Sequence, residues 1–358
     1  MFIKKMLLSA MFIVIVGNAM NGQATFEVRK IWDQAPHNAF TDLVEHKGKF
    51  YCTFREGGGH VPWPSDTDGT IRVLESDDGE QWKSVALLSK KEYDLRDSKL
   101  SVTPDGRIMI LMGGSRYKNY TSELLGRLTH VSFLNPQNGS VTEPVPVKID
   151  PEIVSDNDWL WRVVWHRGIG YGVVTRLSYV NNVKTLQEVF LIKTTNGINY
   201  ELIADLGLTG DPGLRAFPHE ITVCFTPSDS MLLLVRRDGA DRQGYLGCSV
   251  PPYREWKWVD TGIRLGGPNI IHYKDNKYIV GTRNLKYEDD WHTTIYATSP
   301  KGKFKCITEL PSHGDNSYPG LVLKDNVLWV SYYSSHEGKT SIYIAKIPFS
   351  YIDNVHVE

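Results

Sequence analysis

Val102-Thr103-Pro104-Asp105-Gly106-Arg107-Ile108 reads as the end of one apolar strand, a tight polar turn and the start of the next. Asp-Gly supplies the positive φ that a short hairpin turn needs, so the stretch marks an antiparallel hairpin. The same pattern recurs at Val44-Glu45-His46-Lys47-Gly48-Lys49-Phe50-Tyr51, Trp165-His166-Arg167-Gly168-Ile169 and Phe225-Thr226-Pro227-Ser228-Asp229-Ser230-Met231. His272-Tyr273-Lys274-Asp275-Asn276-Lys277-Tyr278 and Val322-Leu323-Lys324-Asp325-Asn326-Val327-Leu328 bring the copies to six. A unit repeated at this spacing is the signature of a repeat architecture.

Working outward from each hairpin, a third strand and a further turn follow. Ile71 to Leu74 precedes Asp77-Asp78-Gly79, Val131 to Leu134 precedes Gln137-Asn138-Gly139, and Val189 to Lys193 precedes Asn196-Gly197. Tyr245 to Val250 and Thr294 to Thr298 continue the series. With a short fourth strand after each, the unit is a four-stranded antiparallel blade, and the chain is expected to be an all-β, six-bladed β-propeller. The last copy ends at Thr340 to Ile347 with no fourth strand left, so Thr25 to Ile31 is expected to supply it and close the ring. Helical periodicity is nearly absent, which excludes an α/β barrel. A β-sandwich is the alternative, and like units with one strand carried across the termini argue against it.

Bulk properties narrow the function. The chain has 358 residues and a formal net charge of −1, without the basic surplus a general nucleic-acid binder needs. Lys4 and Lys5 precede an apolar run from Met6 to Val16, and Gly22-Gln23-Ala24 offers small residues for cleavage. This predicts a signal peptide over residues 1–24 and a periplasmic or secreted domain over residues 25–358. No second long apolar run follows, so no membrane anchor is expected. The four cysteines, Cys52, Cys224, Cys248 and Cys306, are irregularly spaced and are expected to be buried free thiols. No metal-ligand spacing or phosphate loop stands out, and neither metal nor cofactor is expected.

In a blade of this kind the start of the first strand and the end of the second share one face. Second strands end in Phe54-Arg55-Glu56, Ser115-Arg116, Thr175-Arg176, Arg236-Arg237-Asp238 and Thr282-Arg283-Asn284. First strands begin with His37-Asn38, Asp94-Leu95-Arg96-Asp97, Trp159-Leu160-Trp161-Arg162, Pro218-His219-Glu220, Pro268-Asn269 and Asp315-Asn316-Ser317-Tyr318-Pro319. Arginines converging on one mouth would make an anion trap in an otherwise neutral protein, although each could instead pair with a neighbouring carboxylate.

Taken together these residues resemble bacterial sialidases, over nearly the whole of residues 25–358. Glu75-Ser76-Asp77-Asp78-Gly79-Glu80-Gln81-Trp82 is similar to that family's Asp-box turn, with Asp77, Gly79 and Trp82 in register, and Thr195-Asn196-Gly197-Ile198-Asn199-Tyr200 is a degenerate copy. Pro218-His219-Glu220 followed by Leu234-Val235-Arg236-Arg237 resembles the pairing of a general-base Glu with a carboxylate-binding Arg. Ser317-Tyr318-Pro319-Gly320 stands where the family places its nucleophilic tyrosine. The resemblance thus implies Tyr318 as nucleophile and Glu220 as its base. It places the acid in the loop of Asp66 and Asp68, after His60-Val61-Pro62-Trp63, with Asp97 on the adjacent blade as a competing candidate, and Arg236 at the substrate. Arg55, Arg96, Arg237, Arg283, His60 and Trp161 are further candidates around the substrate from the face they share.

A phenol is a weak nucleophile without a base, but it suits an anomeric carbon that already bears a carboxylate, where a second anion would be repelled. The chain departs from the family at His37-Asn38-Ala39-Phe40, where an Arg-Ile-Pro is usual. The expected function is an exo-acting glycoside hydrolase that releases a terminal carboxylated sugar, sialic acid or a related keto-acid sugar, from an acidic glycan. The alternatives are a hydrolase or lyase on another acidic glycan, with His37, His60 or His219 as base, and a non-catalytic glycan-binding propeller.

Overall fold

The computed structural model describes residues 26–64, 67–119, 121, 123–180, 183–208, 217–238, 243–287 and 290–357. The expected signal peptide over residues 1–24 and the candidate Asp66 lie outside them. Among the described residues no helix is long and apolar enough to cross a membrane.

The fold is a six-bladed β-propeller of four-stranded antiparallel blades. First in the chain is β1 (Glu27–Trp32), followed by the first blade, β2 (His37–His46), β3 (Lys49–Gly57), β4 (Thr70–Ser76) and β5 (Lys83–Leu88). The second blade is β6 (Asp94–Val102), β7 (Ile108–Tyr117), β8 (Leu124–Leu134) and β9 (Val145–Pro146). The third is β10 (Asp158–His166), β11 (Ile169–Val180), β12 (Val183–Thr194) and β13 (Glu201–Asp205). The fourth is β14 (Pro218–Phe225), β15 (Met231–Arg237), β16 (Gln243–Ser249) and β17 (Lys257–Arg264). The fifth is β18 (Asn269–Lys274), β19 (Lys277–Tyr287), β20 (Asp290–Thr298) and β21 (Lys305–Glu309). The sixth joins β22 (Asn316–Lys324), β23 (Val327–Ser334) and β24 (Ser341–Pro348) to β1, with Val28 opposite Ala345, so the ring closes across the termini as expected. A short helix, α1 (Phe349–Asp353), ends the fold.

Hydrophobic packing runs around the ring. Each buried cluster lies between neighbouring blades: Ile279 and Ile295 meet Val330 and Ala345, for example, and Leu111 and Val131 meet Val163 and Val174. No blade buries its own faces alone, so the ring holds as a unit. The cysteines differ from expectation: Cys52 and Cys224 are buried, but Cys248 is only partly so and Cys306, on outer strand β21, is exposed.

The turn after β4 shows its chemistry directly. Ser76 Oγ accepts from Gly79 N at 2.8 Å, Asp78 Oδ1 accepts from Glu80 N and Gln81 N at 2.7 and 2.9 Å, and Trp82 Nε1 donates to Gly79 O at 3.0 Å. The bonding aspartate is therefore Asp78, not Asp77, whose carboxylate faces Lys49 from the surface. Thr194, Asn196, Gly197 and Tyr200 repeat the same bonds in the third blade.

One irregularity positions the site. The innermost strands β2, β6, β10, β14 and β22 each carry a bulge at the same place, just after their first paired residues. An extra residue there re-aims a side chain toward the axis. In four blades that residue has positive φ: Phe40 at 63°, Asp97 at 54°, Glu220 at 49° and Tyr318 at 49°. Such a conformation costs a non-glycine residue about 1–3 kcal/mol and persists only where the surroundings enforce it. Thr41 Oγ1 donating to Tyr318 O at 2.7 Å, and Asn269 Nδ2 donating to Pro319 O at 3.0 Å, are two of the bonds that do so.

Candidate active site

The bulges open onto a cavity of about 280 Å³ whose wall includes Phe40, Asp97, Glu220 and Tyr318. Tyr318 Oη donates to Glu220 Oε1 at 2.7 Å. Arg236 Nη1 donates to both Glu220 oxygens at 2.8 Å, and Gly267 N donates to Oε2 at 2.7 Å. Burial pushes the Glu220 carboxyl up, but the Arg236 charge, with His219 and the Tyr318 hydrogen bond, outweighs it and holds the group at about 2. Burial pushes the Tyr318 phenol well above its usual 10, and the Glu220 charge adds to this. At neutral pH the pair is thus a neutral phenol donating to a carboxylate, so the phenol oxygen can attack only as its proton passes to Glu220.

Asp97 sits on the wall of the same cavity with its Oδ1 buried and without a hydrogen-bond partner. Burial raises its carboxyl, against the pull of Arg96 and Lys99, so it keeps its proton to a higher pH than an exposed aspartate. Asp68 lines a separate cleft of about 410 Å³ with Arg116 and Tyr117. Burial also raises its carboxyl, with the Asp94 charge adding.

The arginines divide. Arg55 is 0% exposed, with Nε and Nη2 donating to Asp94 Oδ1 at 3.0 and 2.5 Å and Nη1 to Gly59 O at 2.7 Å. It locks the loop after β3 to the second blade and is closed off from the cavity, contrary to the substrate-facing place expected for it. Arg237 is 2% exposed and donates to Gln243 O at 3.1 Å, also away from the cavity. Arg96 is on the cavity wall, over the Phe40 ring at 5.0 Å and 3.6 Å from Asp94. Arg236 stands behind Glu220 and also bonds Asp238 at 3.3 Å. Arg283 has the weakest engagement: a 3.4 Å contact with Asn316 O, Asp315 Oδ1 at 4.0 Å, and the Trp291 ring at 4.9 Å.

Trp161 fills the bulge position of the third blade, but at 1% exposure it packs under Tyr318, ring centroids 5.3 Å apart, and does not face substrate. His60 does line the cavity, its ring 5.1 Å from Phe40. Asp315 Oδ2 accepts from His60 Nδ1 at 2.8 Å and His37 Nε2 at 3.0 Å, and Asp315 Oδ1 accepts from Tyr333 Oη at 2.9 Å. The Arg283 guanidinium beside Asp315 works against a metal ion there. Sequence reasoning missed Ser115, Thr175 and Gln187, which also line the cavity. Gln187 comes from a third strand, where no turn signal or motif marks it.

Because Arg236 neutralises a buried carboxylate, Arg236→Ala is expected to cost about 3–5 kcal/mol of folding stability by leaving Glu220 charged and unpaired. Chemical denaturation of the variant measures this. A loss under 1 kcal/mol would mean that Arg236 and Glu220 do not act as a buried charge pair.

No protein-family model matches the sequence, and no curated protein does. Solved structures do share the fold. A protein of unknown function from Dyadobacter fermentans aligns at TM-score 0.71 and 17% identity, over 89% of this chain and 98% of its own. An α-L-arabinofuranosidase from Fusarium graminearum aligns at TM-score 0.63 and 14% identity, over 90% of this chain and 97% of its own. The Trypanosoma rangeli sialidase in complex with sialic acid aligns at TM-score 0.61 and 12% identity. That alignment covers 93% of this chain, which spans only 57% of the sialidase. At these identities the likeness is one of fold.

Proposed function

We propose that the protein is an exported, retaining, exo-acting glycoside hydrolase that releases a terminal carboxylated sugar, sialic acid or a related keto-acid sugar. Tyr318 is its nucleophile, Glu220 the base and Asp97 the acid. The observation that carries this reading is the 2.7 Å bond from Tyr318 to Glu220 on the wall of an axial cavity sized for one sugar ring. A glycoside hydrolase among the proteins sharing the fold supports the reaction class. The neutral nucleophile supports the carboxylated sugar. Of the candidate arginines Arg283 has the loosest partners, and although it lies beyond the cavity lining its charge acts on Tyr318, close enough to draw in a carboxylate there. Export rests on Lys4, Lys5 and the apolar run behind them.

A neutral sugar is the second reading. Arg96 and Arg236 already face carboxylates, while Gln187 Oε1 is buried on the cavity wall with no partner, an acceptor suited to a sugar hydroxyl. A panel of 4-methylumbelliferyl glycosides of sialic acid, keto-deoxy sugars, uronic acids and arabinofuranose separates the two. On a carboxylated substrate, Arg283→Ala is expected to raise KM at least about tenfold, the lower end for a charge-assisted pair, and to leave the methyl ester nearly unchanged. Equal effects on acid and ester, or turnover of the neutral furanoside alone, would remove the carboxylated sugar from the reading.

A further inference from the structure

Beneath the nucleophile lies a cation that the proposed chemistry has not used. Lys99 follows the β6 bulge, where pairing resumes opposite Leu111, and is 2% exposed. Its ammonium is 4.3 Å from the centroid of the Trp161 ring and 5.2 Å from that of Tyr318. Its hydrogen bonds are long, 3.5 Å to Thr41 O and 3.3 Å to Ser98 O. The neighbouring carboxylate Asp42 is occupied by both Arg162 amino groups, at 2.8 and 3.1 Å. Lys99 is therefore a buried charge with no carboxylate bonded to it directly, resting on two aromatic faces, two long carbonyl bonds and the nearby Asp42 charge. A structural role alone would call for a carboxylate partner or for methionine in its place.

We propose that the Lys99 ammonium is a positioning residue that supports the nucleophile electrostatically through the Tyr318 ring, and that it matters most when the phenol oxygen leaves. The inference rests on the reading of Tyr318 as nucleophile. In the first step the Tyr318 O–H bond breaks, its proton goes to Glu220, the phenol oxygen bonds the anomeric carbon, and the leaving oxygen departs with the proton of Asp97. In the second, water gives a proton to Asp97 and bonds the anomeric carbon. The bond to the phenol oxygen then breaks, and that oxygen recovers its proton from Glu220. Negative charge builds on the phenol oxygen as it departs, and a desolvated cation against the ring face stabilises it.

The groups facing Lys99 are Asp42 from β2, Arg162 from β10, Asp97 from its own strand, Glu220 from β14 and Tyr318 from β22. Burial lowers the ammonium most, Asp42 raises it and Arg162 lowers it again, with Asp97 and Glu220 raising it, and it settles at about 8. The support is thus present below that pH and lost as pH rises through it.

The test uses the aryl glycoside from the panel that the wild type hydrolyses. An activated leaving group needs little protonation, and the second step uses Asp97 as a base, so ionisation of Asp97 imposes no alkaline limb. Wild-type kcat is expected to fall with an inflection near pH 8. Lys99→Arg moves that limb upward by a pH unit or more. Lys99→Met lowers kcat about 30-fold, the factor for ~2 kcal/mol of a desolvated cation–ring contact, abolishes the limb, and accumulates glycosyl-Tyr318 detectable by intact-protein mass spectrometry. Lys99→Met with the wild-type rate, or a slow Lys99→Met that keeps the limb, would overturn the proposal. Should Lys99→Met not fold, an unmoved limb in Lys99→Arg overturns it. Tyr318→Phe run beside these separates the two ideas: turnover surviving there defeats the nucleophile assignment and this inference with it, whereas a dead Tyr318→Phe with an unaffected Lys99→Met defeats the inference alone.

Discussion

Tyr318→Phe is expected to lower turnover roughly 10⁴-fold or more while costing only about 1 kcal/mol of stability, because the reacting oxygen and one hydrogen bond are all that is removed. The ring contacts survive the change. Phe40, Trp161 and Tyr333 pack around Tyr318 with centroids 5.1, 5.3 and 5.8 Å away, and none of these contacts uses the hydroxyl. Glu220 keeps its Arg236 and Gly267 partners, so no buried charge is orphaned. Substrate affinity should therefore hold within a few-fold, and the loss should fall on kcat. Steady-state kinetics beside a thermal melt tests both halves. Near-normal turnover would remove the tyrosine mechanism and turn attention to His37, His60 and His219, the histidines on the same face.

The separability of hydroxyl and ring reflects how the fold places Tyr318, and this part of the structure was only half legible in the sequence. Asp105-Gly106 and its counterparts announced the hairpins because turn geometry is local, and hairpin count with the orphan first strand set the ring. The bulges are not local. Phe40, Asp97, Glu220 and Tyr318 share a place only once each inner strand is registered against its neighbour, and no residue type marks it. Arg55 and Arg237 lie away from the cavity for a related reason. Arg55 stood at the right end of the right strand, but its partner Asp94 opens the next blade, and a pairing between blades leaves no spacing to read. Nothing in the sequence sets Lys99 apart from other strand lysines. Its burial follows from the packing of Trp161 and Tyr318 from two other blades above it. The slip from Asp78 to Asp77 in the turn after β4 is smaller in kind: adjacent aspartates differ only in which one meets the backbone amides.

Between the two aspartates advanced as acid, geometry favours Asp97, and the choice has a measurable consequence. Asp97 shares the cavity with Tyr318 and Glu220 and offers a buried oxygen with no partner, whereas Asp68 faces a different cleft beside Arg116 and Tyr117. An acid acts on the leaving oxygen in the first step, so its removal should cost according to how poor that leaving group is. Asp97→Asn is expected to lower kcat/KM for alkyl-linked glycosides by about 10²–10⁴-fold, and for an activated aryl glycoside by far less. With the aryl substrate the second step then limits, because the amide cannot take a proton from water. The variant should show a burst followed by slow turnover. Azide needs no such base, so it should restore turnover and yield a glycosyl azide of the substrate's own anomeric configuration, the outcome a covalent tyrosine intermediate requires. Asp68→Asn should leave alkyl and aryl substrates within a few-fold of wild type. If instead Asp68→Asn shows the leaving-group dependence and azide rescue while Asp97→Asn does not, the acid reaches the leaving oxygen from the neighbouring cleft, and the buried oxygen of Asp97 serves to bind the sugar.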